Sequence, residues 1–221
     1  MRGELHYTLT SPDNVRGSFG VDDCPAPARY NISPGQEAPV ILQRGATRTC
    51  ELMRWGLLPR WRGHGGKRSP LVHAAPVEAL AGTPLLRDAF RAQRCLVVAD
   101  GCFAWRELKQ PVWFHPEPRR PIAFAGVWAT NDDDGVASFA VLLGPPLETR
   151  VRDLMPIVLA EDAYDAWLDP KVKPEIASEL CVAPPLVGWR ADAVSTRMSS
   201  TTHDDPACIQ PLGNPNQGEL F

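Results

Sequence analysis

Twenty-three prolines among 221 residues constrain this chain more than any other feature. Proline fixes φ and has no N–H to donate, so it ends helices and is confined to turns, bulges and edge strands. At about double the ordinary usage, it favours short segments joined by turns over long helices. The runs between the prolines fit that expectation. Val40-Ile41-Leu42, Cys95-Leu96-Val97-Val98, Pro121 to Trp128, Ser138 to Leu143 and Pro156 to Leu159 are short, β-branched or aromatic, and bounded by Gly, Pro or Asp. Asn131-Asp132-Asp133-Asp134-Gly135 reads as the turn of a hairpin. Helical stretches are fewer: Pro76 to Leu80 followed by Leu85 to Arg94, then Glu161 to Leu168 ended by Pro170, then Lys173 to Leu180. Strands dominate and helices interrupt them. The predicted class is α+β, built on a strongly bent, barrel-like, mainly antiparallel sheet with short helices.

Length suits one domain with a sizeable core. We expect a domain over residues 1–212 and a flexible tail over 213–221, where Gly, Asn, Pro and Gln crowd together. The formal net charge of −3 excludes a polycation, so binding to nucleic acid needs a local basic patch. Such a patch is legible. Arg54, Arg60, Arg62, Lys67 and Arg68 surround Trp55 and Trp61, and Arg87, Arg91 and Arg94 have a spacing compatible with one helix face. Trp105 is a further candidate for stacking on a base. The alternatives are core tryptophans and a solvated charged loop around Gly63 to Gly66. Six cysteines without CxxC spacing read as free thiols in a reducing cytosol, with no metal. The N-terminus carries no apolar signal region, and no run approaches membrane-spanning length. The expectation is a cytoplasmic monomer without cofactor.

Four segments carry a resemblance. Ala28-Arg29-Tyr30-Asn31-Ile32-Ser33-Pro34, Met53 to Trp61, Arg94 to Trp105 and Asp153-Leu154-Met155-Pro156-Ile157-Val158-Leu159 resemble, in order and spacing, the SOS-response-associated peptidase (SRAP) family. The resemblance runs from Met1 to roughly Leu212. It implies an SRAP-like fold, binding to single-stranded DNA in the damage response, and self-crosslinking to abasic sites. In the family a cysteine after the initiator Met presents both an α-amine and a thiol to the aldehyde of the abasic sugar.

At the family's reactive positions this chain differs. The cysteine position is Arg2, which has no nucleophilic sulfur and whose bulk should block removal of Met1. The glutamate of Gly-Phe-Tyr-Glu-Trp is Ala104, and Glu107, on the face of Trp105, is a poor substitute. The histidine before Asp-Arg-Met-Pro is Arg152, which cannot shuttle a proton near neutrality, and the arginine there is Leu154. The asparagine and arginine of Asn-Ala-Arg-Ala-Glu are His73 and Ala75. No catalytic residue is therefore assigned. Arg2, His73 and Arg152 would converge as an anion site if the fold is kept, or stand as solvated side chains. The last five residues resemble the bacterial sliding-clamp-binding pentapeptide, with Gln217, Leu220 and Phe221 matching.

Three functions stay open. The first is a pseudo-enzyme that associates with single-stranded or abasic DNA and is recruited by its tail. The second is an enzyme acting at abasic sites through the Met1 amine, or less readily through Cys24. The third is an interaction module that regulates a paralogue or binds the sliding clamp.

Overall fold

The computed structural model describes residues 5–59, 71–106, 110–151, 153–181 and 188–213. Its centre is a ring of strands. β3 (Glu37–Arg44) and β4 (Thr47–Trp55) form a hairpin in register from Glu37↔Arg54 to Arg44↔Thr47. β6 (Arg94–Ala99) pairs with β3 on one side and with β9 (Ile122–Thr130) on the other, both antiparallel. β10 (Ala137–Gly144) pairs antiparallel with β9 and parallel with β4, through Ser138↔Arg54 and Phe139↔Trp55. That last pairing closes the ring and removes the free edges a bent sheet would leave. The expected hairpin lies between β9 and β10. Asn131 shapes it by accepting from Asp133 N (3.0 Å) and Asp134 N (3.3 Å) through its side chain.

A second sheet runs in the order β13, β8, β7, β1, β2: Trp189–Ala193, Gln110–Pro116, Gly101–Arg106, Tyr7–Leu9 and Arg29–Ile32. Its pairings are antiparallel. The chain crosses from ring to second sheet at Asp100, between β6 and β7. β5 (Ala74–Pro76) extends the ring sheet along β10, and β11 (Met155–Pro156) and β12 (Val158–Leu159) add short edges.

Every position of β6 is buried, as expected of a strand covered on both faces. Trp55, Trp113, Trp167, Tyr7, Phe19, Phe114, Phe124 and Phe139 are the largest fully buried side chains. Complete burial of such a side chain contributes about 1.5–3 kcal/mol. The helices α1 (Val15–Phe19), α2 (Pro84–Ala92), α3 (Tyr164–Leu168) and α4 (Pro174–Glu179) are short, and all but α1 overlap stretches read as helical, although Pro76 to Leu80 supplies only a 3-10 turn (Val77–Ala79) and Arg94 belongs to β6. α2 buries Leu86, Ala89 and Phe90 and leaves Arg87 and Arg91 exposed. No helix among the described residues is long and apolar enough to cross a membrane.

Candidate functional site

Strand β7 positions the residues that matter. Alternation sends Cys102 and Ala104 into the main core, while Phe103 and Trp105 pack with Trp113, Met198 and Ile209 in a smaller second core. The start of β7 is pinned. Asp100 is buried, and its two carboxylate oxygens accept from Thr8 Oγ1 (2.6 Å), Thr10 N (2.5 Å) and Thr10 Oγ1 (2.6 Å). A Cβ on Gly101 would lie 2.4 Å from Trp113 Nε1 and 2.8 Å from the Phe114 carbonyl, so only glycine fits. These contacts hold β1 against β7, with Tyr7 opposite Cys102 and Phe103 N donating to His6 O (2.9 Å). Leu5 and His6 therefore run antiparallel to β7, beside Phe103 and Ala104.

Ala104, to which the resemblance assigns the family carboxylate position, is 6% exposed and packed in the main core. Two residues on, Arg106 shares its face. Arg106 donates to Glu148 through both Nε (2.8 Å) and Nη2 (2.6 Å), and Arg150 Nε lies 3.0 Å from the same carboxylate. The pair is nearly buried, a fork-to-fork arrangement in low dielectric. A bridge from Arg106 to Val151 sets the loop before β11 beside the end of β7. Arg152 and Glu107 lie outside the described residues. Nothing in the sequence reading pointed to Arg106 or Glu148. Their signal is alternation from Ala104 on one strand, but the partner is 42 residues away.

His73 sits between the end of β4 and the start of β5. Its carbonyl accepts from Trp55 Nε1 (2.7 Å) and Val141 N (3.0 Å). Its ring lies against Gly56, where a Cβ would come 3.0 Å from Cδ2. Gly56 also has φ +137°, a second reason for glycine. Arg2 lies outside the described residues, so of the three members of the expected anion site only His73 is placed.

The expected DNA-contacting set divides. Trp55 is fully buried, with its indole stacked on Phe139 at 6.2 Å and tilted on Tyr7 at 4.9 Å. It cannot stack on a base without the core opening, and this corrects the sequence expectation. Arg94 is also withdrawn from solvent. It opens β6 rather than extending the exposed face of α2, and its guanidinium donates to the carbonyls of Trp167 (2.7 Å), Phe90 (2.8 Å), Asp169 (2.5 Å), Val172 (3.1 Å) and Arg91 (3.3 Å). Burial draws its pKa below the usual guanidinium value. It ties α2 to α3 instead of holding phosphate. Trp105 is half-buried, and Arg54, Arg87 and Arg91 are exposed. Arg60, Trp61, Gln217, Leu220 and Phe221 lie outside the described residues.

The first landmark segment is structural too. Asn31 donates its amide to the carbonyls of Met198 (2.9 Å), Ser200 (3.0 Å) and His203 (2.8 Å), and its Oδ1 lies 2.6 Å from His6 Nδ1. Asp204 accepts from the backbone N–H groups of Tyr30 (2.6 Å) and Asn31 (2.9 Å) and pairs with Arg29.

With this geometry in place, the comparisons with known proteins are specific. The profile of the SOS response associated peptidase (SRAP) family matches residues 2–201. The abasic site processing protein YoqW of Bacillus subtilis is 26% identical over 219 residues, covering 92% of this chain and 97% of its own. The abasic site processing protein YedK of Escherichia coli is 25% identical over 195 residues, covering 83% and 85%. A crystal structure of a protein from Bacteroides thetaiotaomicron superposes with a TM-score of 0.80 at 17% identity, covering 93% of this chain and 98% of that one.

Proposed function

The chain belongs to the SOS response associated peptidase family, and from that premise we propose that it binds single-stranded DNA, abasic-site DNA included, without the family's thiol-dependent crosslink. The names of its relatives supply the substrate class. The observation that carries the non-covalent half is Ala104. At the position the resemblance assigns to the active carboxylate stands a methyl group packed in the core. On the same strand face Arg106 holds the carboxylate of Glu148 with two hydrogen bonds, and Arg150 pairs with it as well, so that carboxylate is already engaged by two guanidinium groups.

Binding would rest on exposed Arg54, Arg87 and Arg91 and on half-buried Trp105. Guanidinium groups contact phosphate, and an indole face stacks on an unpaired base at roughly 1–3 kcal/mol per base. The tail residues Gln217, Leu220 and Phe221 would bring the protein to a sliding clamp. The test is binding to single-stranded oligonucleotides, intact and with one abasic site, across a salt series. Affinity that falls linearly in log–log form with salt supports the reading. Absence of binding at low salt overturns it and favours the interaction module.

A further inference from the structure

Two cysteines far apart in sequence face each other outside the site. Cys24 lies in the loop between α1 and β2, and Cys50 lies on β4, 26 residues on. Their Sγ atoms are 2.9 Å apart, and both thiols are free and half-buried. On β4, Cys50 shares a face with Arg48, Leu52 and Arg54. Arg48 reaches the Phe19 carbonyl (3.0 Å) and Asp165 (2.6 Å), so loop and helix cover the Arg48–Cys50 part of that face. Leu52, at 40% exposure, and Arg54 stay open to water.

We propose that Cys24 and Cys50 form a peroxide-oxidisable dithiol that closes to a disulfide. A disulfide needs its sulfurs at about 2.05 Å, so closure asks for a shift of under an ångström or so. The loop carrying Cys24 lies between two elements rather than within the ring, and can supply that shift. Cys50 donates its S–H to Cys24. That bond holds the Cys24 thiol below the ordinary range and pushes the Cys50 thiol up, which makes Cys24 the first nucleophile. Burial instead raises the thiols of Cys95, Cys102 and Cys181.

The chemistry balances. The Cys24 thiolate attacks one peroxide oxygen, the O–O bond breaks, and hydroxide leaves and is protonated to water. The sulfenic acid formed is attacked by the Cys50 sulfur. The S–S bond forms, the S–O bond breaks, and the departing hydroxide takes the Cys50 proton as a second water. Two thiols and one hydrogen peroxide give one disulfide and two waters. The proposal is independent of how the protein treats DNA.

The test uses the full-length reduced protein treated with hydrogen peroxide. Thiols are counted in denaturant, and tryptic peptides are mapped without reduction. The expected result is a fall of two from the six thiols of the chain, with residues 17–29 linked to residues 49–54. Cys24→Ser and Cys50→Ser each abolish the linkage, Cys181→Ser leaves it, and dithiothreitol reverses it. In Cys50→Ser a dimedone adduct forms on Cys24. An undiminished thiol count, a linkage elsewhere, or oxidation of Cys24 with Cys50 left free in the unmutated protein would overturn the proposal.

Discussion

At the Gly101 end of β7, three donors converge on one carboxylate and there is no space for a Cβ. At the Arg106 end a core methyl, a half-buried indole and a forked ion pair follow one another. The first end keeps the landmark residues Asp100 and Gly101. The second end holds Ala104, at the position that the resemblance assigns to the family glutamate. The contrast teaches what a landmark is worth. Asp100, Gly101, Asn31 and Trp55 each meet a backbone or packing obligation of the fold. A position whose job is chemistry has no such obligation, and a methyl can occupy it while the strand keeps its register.

The largest effect we expect comes from Trp55→Ala, which opens the core between Tyr7 and Phe139. Denaturant unfolding should show a loss of about 3–5 kcal/mol. A stable variant with weakened DNA binding would break the comparison by returning Trp55 to the interface. Gly101→Ala forces a Cβ into the Trp113 indole and the Phe114 carbonyl, and should lose about 1–3 kcal/mol. An unchanged stability would show that the pinned end has slack.

Trp105→Ala sharpens the other end. Affinity for single strands should fall by about 1–3 kcal/mol in a titration at fixed salt, with the fold retained by circular dichroism. No change in affinity would make Trp105 a packing residue alone.

The smallest effect lies far from β7, on the β3–β4 hairpin. There Arg44 donates to Glu51 through Nε (2.9 Å) and Nη2 (3.0 Å), which holds the Glu51 carboxyl below the usual carboxylate value. Its contribution is therefore present above the unfolded value of 4.5 and is lost as pH falls through the lower folded value. Because the pair is exposed, Glu51→Gln should cost about 0.2–1 kcal/mol at pH 7 and converge with the unmutated protein in acid.

Much of the fold is legible in the chain. Val40 to Leu42, Cys95 to Val98 and Ser138 to Leu143 carry β-branched and aromatic runs, and each lies inside a strand of the ring. The Asn131 turn announces its hairpin. β8 is not legible, because Pro111 and Pro116 at its ends read as breakers. The structure tolerates them where the strand begins and ends, and Pro111 O accepts from Val194 N (3.0 Å). Ring closure through the parallel β4–β10 pairing joins residues some eighty positions apart, and local pattern does not encode it. The site divides in the same way. A basic residue next to an apolar strand reads as surface, yet Arg94 is buried because five carbonyls from three segments surround it. The assignment of Ala104 rests on its motif alone, while the Arg106–Glu148 pair depends on a fold contact.

The central claim is that this member of the family holds abasic DNA without bonding to it. Incubation with a single-stranded oligonucleotide carrying one abasic site, followed by denaturing electrophoresis with and without borohydride, tests it most directly. The account predicts free oligonucleotide in both lanes, beside a retarded complex on a native gel. A band that survives denaturation would contradict it. One that needs borohydride would assign a Schiff base, with the Met1 amine as the first group to examine.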